Sequence, residues 1–168
     1  MAIIDSMLPE YEQEMAITRK TLERVTDALW DYKPHPKSMA LGALASHIVE
    51  SQGWIEGTIQ ADEWVMDMAT YKPFLAANRD ELLKSFDTNV ADAKKVLKGV
   101  TDAQLAVTWS MKNPDGSIMF AMPRGNVLRT FMLNHTIHHR AQLQVYLRMN
   151  DIPVPSIYGP TADDSAGM

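Results

Sequence analysis

Apolar side chains recur at alternating spacings of three and four along four stretches of the chain, and prolines interrupt the pattern between them. In the first stretch the positions are Leu8, Tyr11, Met15, Thr18, Leu22, Val25 and Leu29. A 3.6-residue period of this kind gives a helix one apolar stripe, which neighbouring helices must cover. The spacing predicts a first helix from Leu8 to about Tyr32. Asp5 or Ser6 would cap it, and Pro9 and Glu10 would occupy the first turn, where a missing N–H and a negative charge are tolerated. Lys33-Pro34-His35-Pro36-Lys37 cannot be helix interior, because each proline removes a donor and pushes the preceding residue out of the α region. Ser38 then restarts a helix that runs from about Met39 to about Gln60. A third begins near Asn78 with the stripe Leu82, Phe86, Val90, Ala93, Leu97 and Val100, and a fourth follows Pro123 to about Asn150. Before the fourth, Val107 to Met111 and Ile118 to Met122 flank Asn113-Pro114-Asp115-Gly116, which reads as a short two-stranded hairpin leaning on the helices. The fold expected is all-α, a helical bundle with one small β-hairpin. Residues 1–168 read as one domain, without internal repeat, low-complexity tract or dividing linker.

Charge and composition narrow the function. With 21 acidic against 16 basic residues the chain has no basic stripe of the kind phosphate backbones require, so nucleic acid is not an expected partner. Cysteine is absent, which removes disulfides, thiolate-ligated zinc, iron–sulfur clusters and a cysteine nucleophile, and fits a cytoplasmic location. The first residues lack the basic and apolar regions of a signal peptide, and no apolar run approaches the roughly 20 residues that span a bilayer.

Four of the five histidines sit where they can meet. On the fourth segment Leu128, Phe131, Met132, His135, His139, Gln142, Leu143 and Tyr146 share one helical face, so His135 and His139 look into the core one turn apart. Their separation along the axis is about 6 Å, close enough to converge on one ion. On the second segment Ala40, Ala43, Leu44, His47, Ser51, Trp54 and Thr58 share a face, and His47 would complete a facial set of three nitrogens. His138 points about 100° away from His139 and reads as a surface or supporting residue. His35, between two prolines, reads as a loop residue. Buried neutral imidazoles need partners. A divalent metal is one solution, and a polar network through Gln142, Tyr146 and water is the other.

The run Trp30-x-Tyr32-Lys33-Pro34-His35-Pro36-Lys37-Ser38-Met39-x-Leu41-Gly42-x-Leu44-Ala45-x-His47, followed by Asn134-His135-x-x-His138-His139-Arg140-Ala141-Gln142-Leu143, resembles the DinB family of metal-dependent enzymes. Pro155-Ser156-Ile157-Tyr158-Gly159-Pro160 is similar to the family's C-terminal segment, so the resemblance spans nearly the whole chain. It implies a four-helix bundle with an up-down-down-up arrangement, commonly a homodimer, holding a divalent ion on His47, His135 and His139. Nickel or zinc is the expected metal, with iron and manganese also compatible with the ligands. Related families transfer or isomerise substrates with bacillithiol, mycothiol or glutathione. The resemblance therefore implies a small-molecule substrate and a low-molecular-weight-thiol S-transferase or a related hydrolase.

Supporting roles are assigned more loosely. Glu50, one turn after His47, is a candidate to orient an imidazole or act as a base, against the usual solvated glutamate. Trp54, Gln142, Tyr146 and Tyr158 are candidate pocket residues, and Arg140 is expected to face outward. Paired Glu-x-x-His motifs of di-metal bundles and the His-Glu-x-x-His of zinc proteases are both absent. The competing reading is a non-catalytic dimeric bundle that binds a metal or ligand in a stress response.

Overall fold

The computed structural model describes residues 1–164. Its elements in chain order are α1 (Ile3–Leu22), a 3-10 turn (Asp27–Leu29), α2 (Leu41–Gln60), β1 (Glu63–Val65), α3 (Arg79–Leu97), α4 (Asp102–Ala106), β2 (Thr108–Lys112) and β3 (Ile118–Pro123). A last helical rod follows, made of α5 (Arg124–Val127), a π-helical turn (Leu128–Asn134) and α6 (His135–Arg148). Among the described residues no helix is long and apolar enough to cross a membrane.

Side-chain pairs fix the direction of each long helix. Arg19 binds Asp87 and Glu12 binds Lys94, so α3 runs antiparallel to α1. Glu10 pairs with Arg129 and Glu14 with Arg140, so the last rod runs parallel to α1. The Thr58 carbonyl meets Arg124, Gln52 meets Thr136 and His47 meets His135, so α2 opposes that rod. The bundle is therefore up-down-down-up. Because α2 and α3 point the same way, residues 61–78 must travel back along α2. Phe74 N donates to Glu50 Oε1 at 3.0 Å and Ala76 N to Ser46 Oγ at 3.1 Å, which pins the returning strand of chain.

The first helix is shifted relative to its predicted span. It starts at Ile3, with Ile3 N donating to Asp102 and Ala2 N to Asp5, so Pro9 lies within the helix rather than in its first turn. It ends at Leu22 rather than near Tyr32. Val25 and Leu29 still pack on the core, but from a loop and a 3-10 turn, because the Asp27 carboxylate is drawn to Arg79 N at the start of α3, 2.8 Å away. Nor does Ser38 start α2. The first donors of that helix, Leu41 N and Gly42 N, are taken by the Tyr32 and Trp30 carbonyls at 2.9 Å each. Gly42 has no alternative here: a Cβ would lie 2.4 Å from Cε2 of the Trp30 indole. Gly42→Ala is expected to cost about 1–3 kcal/mol, the usual range for overpacking, measurable as a lower urea midpoint with an unchanged m-value.

The third helix follows its sequence signals, with Asn78 accepting from Glu81 N as its N-cap. The hairpin also forms, and Gly116 supplies φ +83° at its turn. It is not two-stranded. Glu63–Val65 pairs parallel to β2, with Trp64 opposite Met111, so a three-stranded sheet in the order β1-β2-β3 closes over one end of α2. Arg124 ties these parts together: its buried guanidinium donates to the Thr58 and Ala61 carbonyls and to Asp62, closing the C-terminal end of α2.

Candidate metal centre

The three inward histidines come from facing positions on antiparallel helices. Their register is set by a buried polar chain beneath them. Tyr11 Oη donates to Gln52 Oε1 at 3.1 Å, Gln52 Nε2 donates to Thr136 Oγ1 at 2.8 Å, and Thr136 Oγ1 donates to the Met132 carbonyl at 2.6 Å. Gln52 and Thr136 are almost fully buried, so slipping α2 against α6 would leave these groups unpaired.

One turn away, one nitrogen from each of His47, His135 and His139 lies within 4.8 Å of the other two. His135 Nε2 stands 2.8 Å from His139 Nε2 and 3.3 Å from His47 Nε2. Nitrogen ligands about 2.0–2.1 Å from one ion, at angles of about 90–110°, would be spaced by about 2.8–3.4 Å, so the donor set fits a divalent cation. All three rings are half-buried. Burial, and then the neighbouring imidazoles, push the His135 pKa down to about 4; burial likewise lowers that of His139. Both rings are thus neutral near pH 7, the state in which a ring nitrogen has a lone pair to give.

The outward nitrogens face acceptors. His139 Nδ1 is 2.8 Å from Gln142 Oε1, and His47 Nδ1 is 3.5 Å from Glu50 Oε2. That carboxylate oxygen is buried and makes no hydrogen bond among the described residues, while Oε1 accepts from Tyr71 Oη at 2.6 Å and from Phe74 N. An Nδ1–H on His139 satisfies Gln142 Oε1 and turns its Nε2 lone pair inward, and the Glu50 carboxylate faces the Nδ1 side of His47. His135 Nδ1 is buried and makes no hydrogen bond of good geometry, the Phe131 carbonyl one turn back being set against it. The glutamate is therefore not the solvated residue that helix statistics favour, and it carries the returning chain as well as facing His47.

The other singled-out residues separate into two groups. Trp54 belongs to the centre: its ring stacks over His135 at 6.0 Å and meets His47 edge-on at 5.6 Å. It also lines a cleft of about 310 Å³ with Gly53, Gly57, Trp64 and Trp109. Tyr146 instead packs edge-on against Tyr32, and the Tyr158 hydroxyl bridges Glu14 and Arg140. His138 is exposed beside His139 but is not one of the three converging rings, and His35 is an exposed loop residue that accepts from Lys37 N.

Arg140 does not face outward. It is 2 % exposed, and its guanidinium donates to Glu14 Oε2 at 2.7 Å, Thr18 Oγ1 at 3.1 Å and Tyr158 Oη at 2.7 Å. The last rod touches both α1 and α2, so its buried arc is wider than one stripe: Thr136, Arg140, Leu143 and Leu147 fill the interior, His135 and His139 lie half-buried at its edge toward the metal centre, and Gln142 is exposed beside them. The π turn before His135 adds a further rotation that a 100° wheel does not contain.

Several known proteins resemble this chain in sequence or fold. The chain is 27 % identical over 166 residues to YrdA, an uncharacterised protein of Bacillus subtilis strain 168, covering 97 % of this chain and 92 % of YrdA. A DinB-like crystal structure from Bacillus cereus ATCC 10987 superposes with a TM-score of 0.72 at 22 % identity, over 94 % of this chain and 98 % of that one. YfiT from Bacillus subtilis, described as a probable metal-dependent hydrolase with an unusual four-helix bundle topology, superposes with a TM-score of 0.66 at 16 % identity and covers 89 % of each chain. The sequence pattern of the DinB family itself matches residues 4–167, and the chain belongs to that family.

Proposed function

We propose that the protein is a metal-dependent enzyme that holds a divalent cation, nickel or zinc first among candidates, on Nε2 of His47, His135 and His139 and acts on a small molecule. The observation that carries this reading is the convergence of three Nε2 atoms from two helices, with the Nδ1 atoms of two of the rings turned toward Glu50 and Gln142. The description of YfiT as a probable metal-dependent hydrolase supports the same chemistry on the same fold. When bound, such an ion supplies positive charge that lowers the pKa of a water or thiol it contacts. With no cysteine in the chain to attack a substrate, the nucleophile is water or a low-molecular-weight thiol, which gives a hydrolase or a thiol S-transferase. Trp54 covers one side of the histidines and limits access of water there. The Glu50 carboxylate, facing His47 Nδ1 at 3.5 Å, favours the tautomer that leaves Nε2 free.

Elemental analysis of protein purified without an affinity tag tests this directly. About one equivalent of metal in the wild type, lost in His47→Ala, supports it; untagged wild type that carries no metal and takes up neither zinc nor nickel on dialysis rules it out. Glu50→Gln keeps the shape of the side chain and removes its charge, and is expected to weaken metal affinity by about 10–100-fold, the usual cost of losing a partner of a ligand histidine. Competition against a chromogenic chelator reads that change.

A further inference from the structure

We infer that Tyr71 is a positioning residue of the metal centre: its hydroxyl holds the Glu50 carboxylate in the orientation that presents Oε2 to the Nδ1 side of His47. The consequence for metal affinity rests on the metal-enzyme reading above; the effect on the His47 ring does not. The last torsion of a glutamate is broad, so a carboxylate takes its orientation from its partners. Here two donors act on one oxygen. Tyr71 Oη donates to Glu50 Oε1 at 2.6 Å and Phe74 N at 3.0 Å, while Oε2 is buried, makes no hydrogen bond among the described residues and stands 3.5 Å from His47 Nδ1. One donor alone would leave the carboxylate free to swing about that bond, and the second removes this freedom. Buried acceptors are nearly always paired, and the ring nitrogen of His47 is the group that faces Oε2.

The Tyr71 hydroxyl is not needed to fasten its own segment. Met66 N donates to the Lys112 carbonyl at 2.8 Å just past β1, Asp67 closes the next turn by accepting from Ala69 N at 2.9 Å, and Ala76 N reaches Ser46 Oγ at 3.1 Å. The hydroxyl nevertheless makes the shorter of the two bonds to Oε1. The ring is half-buried, and burial, then the bond to Glu50, raises its pKa, so the hydroxyl keeps its proton and remains a donor. The Glu50 side chain is 11 % exposed. Water therefore competes little for this carboxylate, and a hydrogen bond made to it holds more firmly than one at the surface.

Tyr71→Phe keeps the ring and removes only the hydroxyl. In metal-free, nitrogen-15-labelled protein at about pH 8.5, where a free imidazole is neutral, long-range proton–nitrogen correlations give the fraction of His47 that carries its proton on Nδ1. That form is expected to dominate in the wild type and to lose population in Tyr71→Phe. Competition against a chromogenic chelator is expected to show zinc held about 3- to 10-fold more weakly by the variant, less than the about 10–100-fold typical when the direct partner of a ligand histidine is lost. In a Glu50→Gln background no carboxylate remains for the hydroxyl to orient, and Tyr71→Phe is expected to cost no further affinity. A His47 proton mainly on Nε2 in the wild type, a tautomer fraction that Tyr71→Phe leaves unchanged, or an equal loss of affinity in both backgrounds overturns the proposal. The last of these is the mark of a residue that only supports the fold. A tautomer shift in a protein that takes up no zinc would remove the enzyme reading and keep the positioning role. Zinc uptake with no tautomer shift would do the reverse.

Discussion

Arg140→Met is expected to lower the melting temperature by about 6–20 °C, from a loss of about 3–5 kcal/mol when one partner of a buried ion pair is removed and about 2–4 °C per kcal/mol in a domain of this size. Glu14 is 6 % exposed, and Arg140 is the cation on its carboxylate. Methionine fills much of the arginine's volume, so the loss comes from stranding a charge rather than from a cavity. Tyr158 Oη, which donates to Glu14 Oε2 at 2.8 Å, offsets part of it. A second substitution separates the two causes. In Glu14→Leu/Arg140→Met neither charge of the pair remains, and apolar replacements of whole buried ion pairs are commonly neutral or stabilising. The double variant is therefore expected to melt above Arg140→Met. If it melts lower still, the pair contributes net stability and stranding is the wrong explanation.

This pair also shows where sequence reading stops. The i,i+4 placement of His135 and His139 is local geometry, and any helix through those residues turns both rings the same way. Their meeting with His47 requires only that α2 face the last rod, which the stripe of Ala43, Leu44, Ser51 and Trp54 already indicates. The α3 boundary was equally local, since Asn78 caps a helix through its own side chain. A single stripe places Arg140 outward because it assumes a single neighbour, whereas this helix lies between two. The 3-10 turn at Asp27, the third strand at Glu63–Val65 and the closure of α2 by Arg124 each depend on a partner more than forty residues away. Periodicity within one segment contains no trace of such partners. Glu50 lies between these cases: its spacing from His47 was visible, but its burial depends on Tyr71 and Phe74 arriving from the returning chain.

Removing the central ring is expected to separate metal binding from folding. His135 Nε2 is the nitrogen recorded close to both other Nε2 atoms, so His135→Ala leaves two nitrogens from different helices with nothing between them. Wild-type protein with zinc at 100 times its dissociation constant should gain about 2.7 kcal/mol of stability, because a ligand of the native state alone adds RT ln(1 + [L]/Kd). At about 2–4 °C per kcal/mol this is a rise of about 5–11 °C in melting temperature. In His135→Ala the rise should vanish. The metal-free variant should nevertheless fold, since Tyr11, Gln52 and Thr136 still lock α2 to the last rod below the centre. Thermal melts of both proteins with and without zinc decide the matter. An undiminished zinc-induced rise in the variant would mean that the ion binds elsewhere. A variant unfolded even without metal would make the ring a structural residue first. The polar chain of Gln52 and Thr136 predicts neither, because it holds the two helices in register without help from the imidazoles.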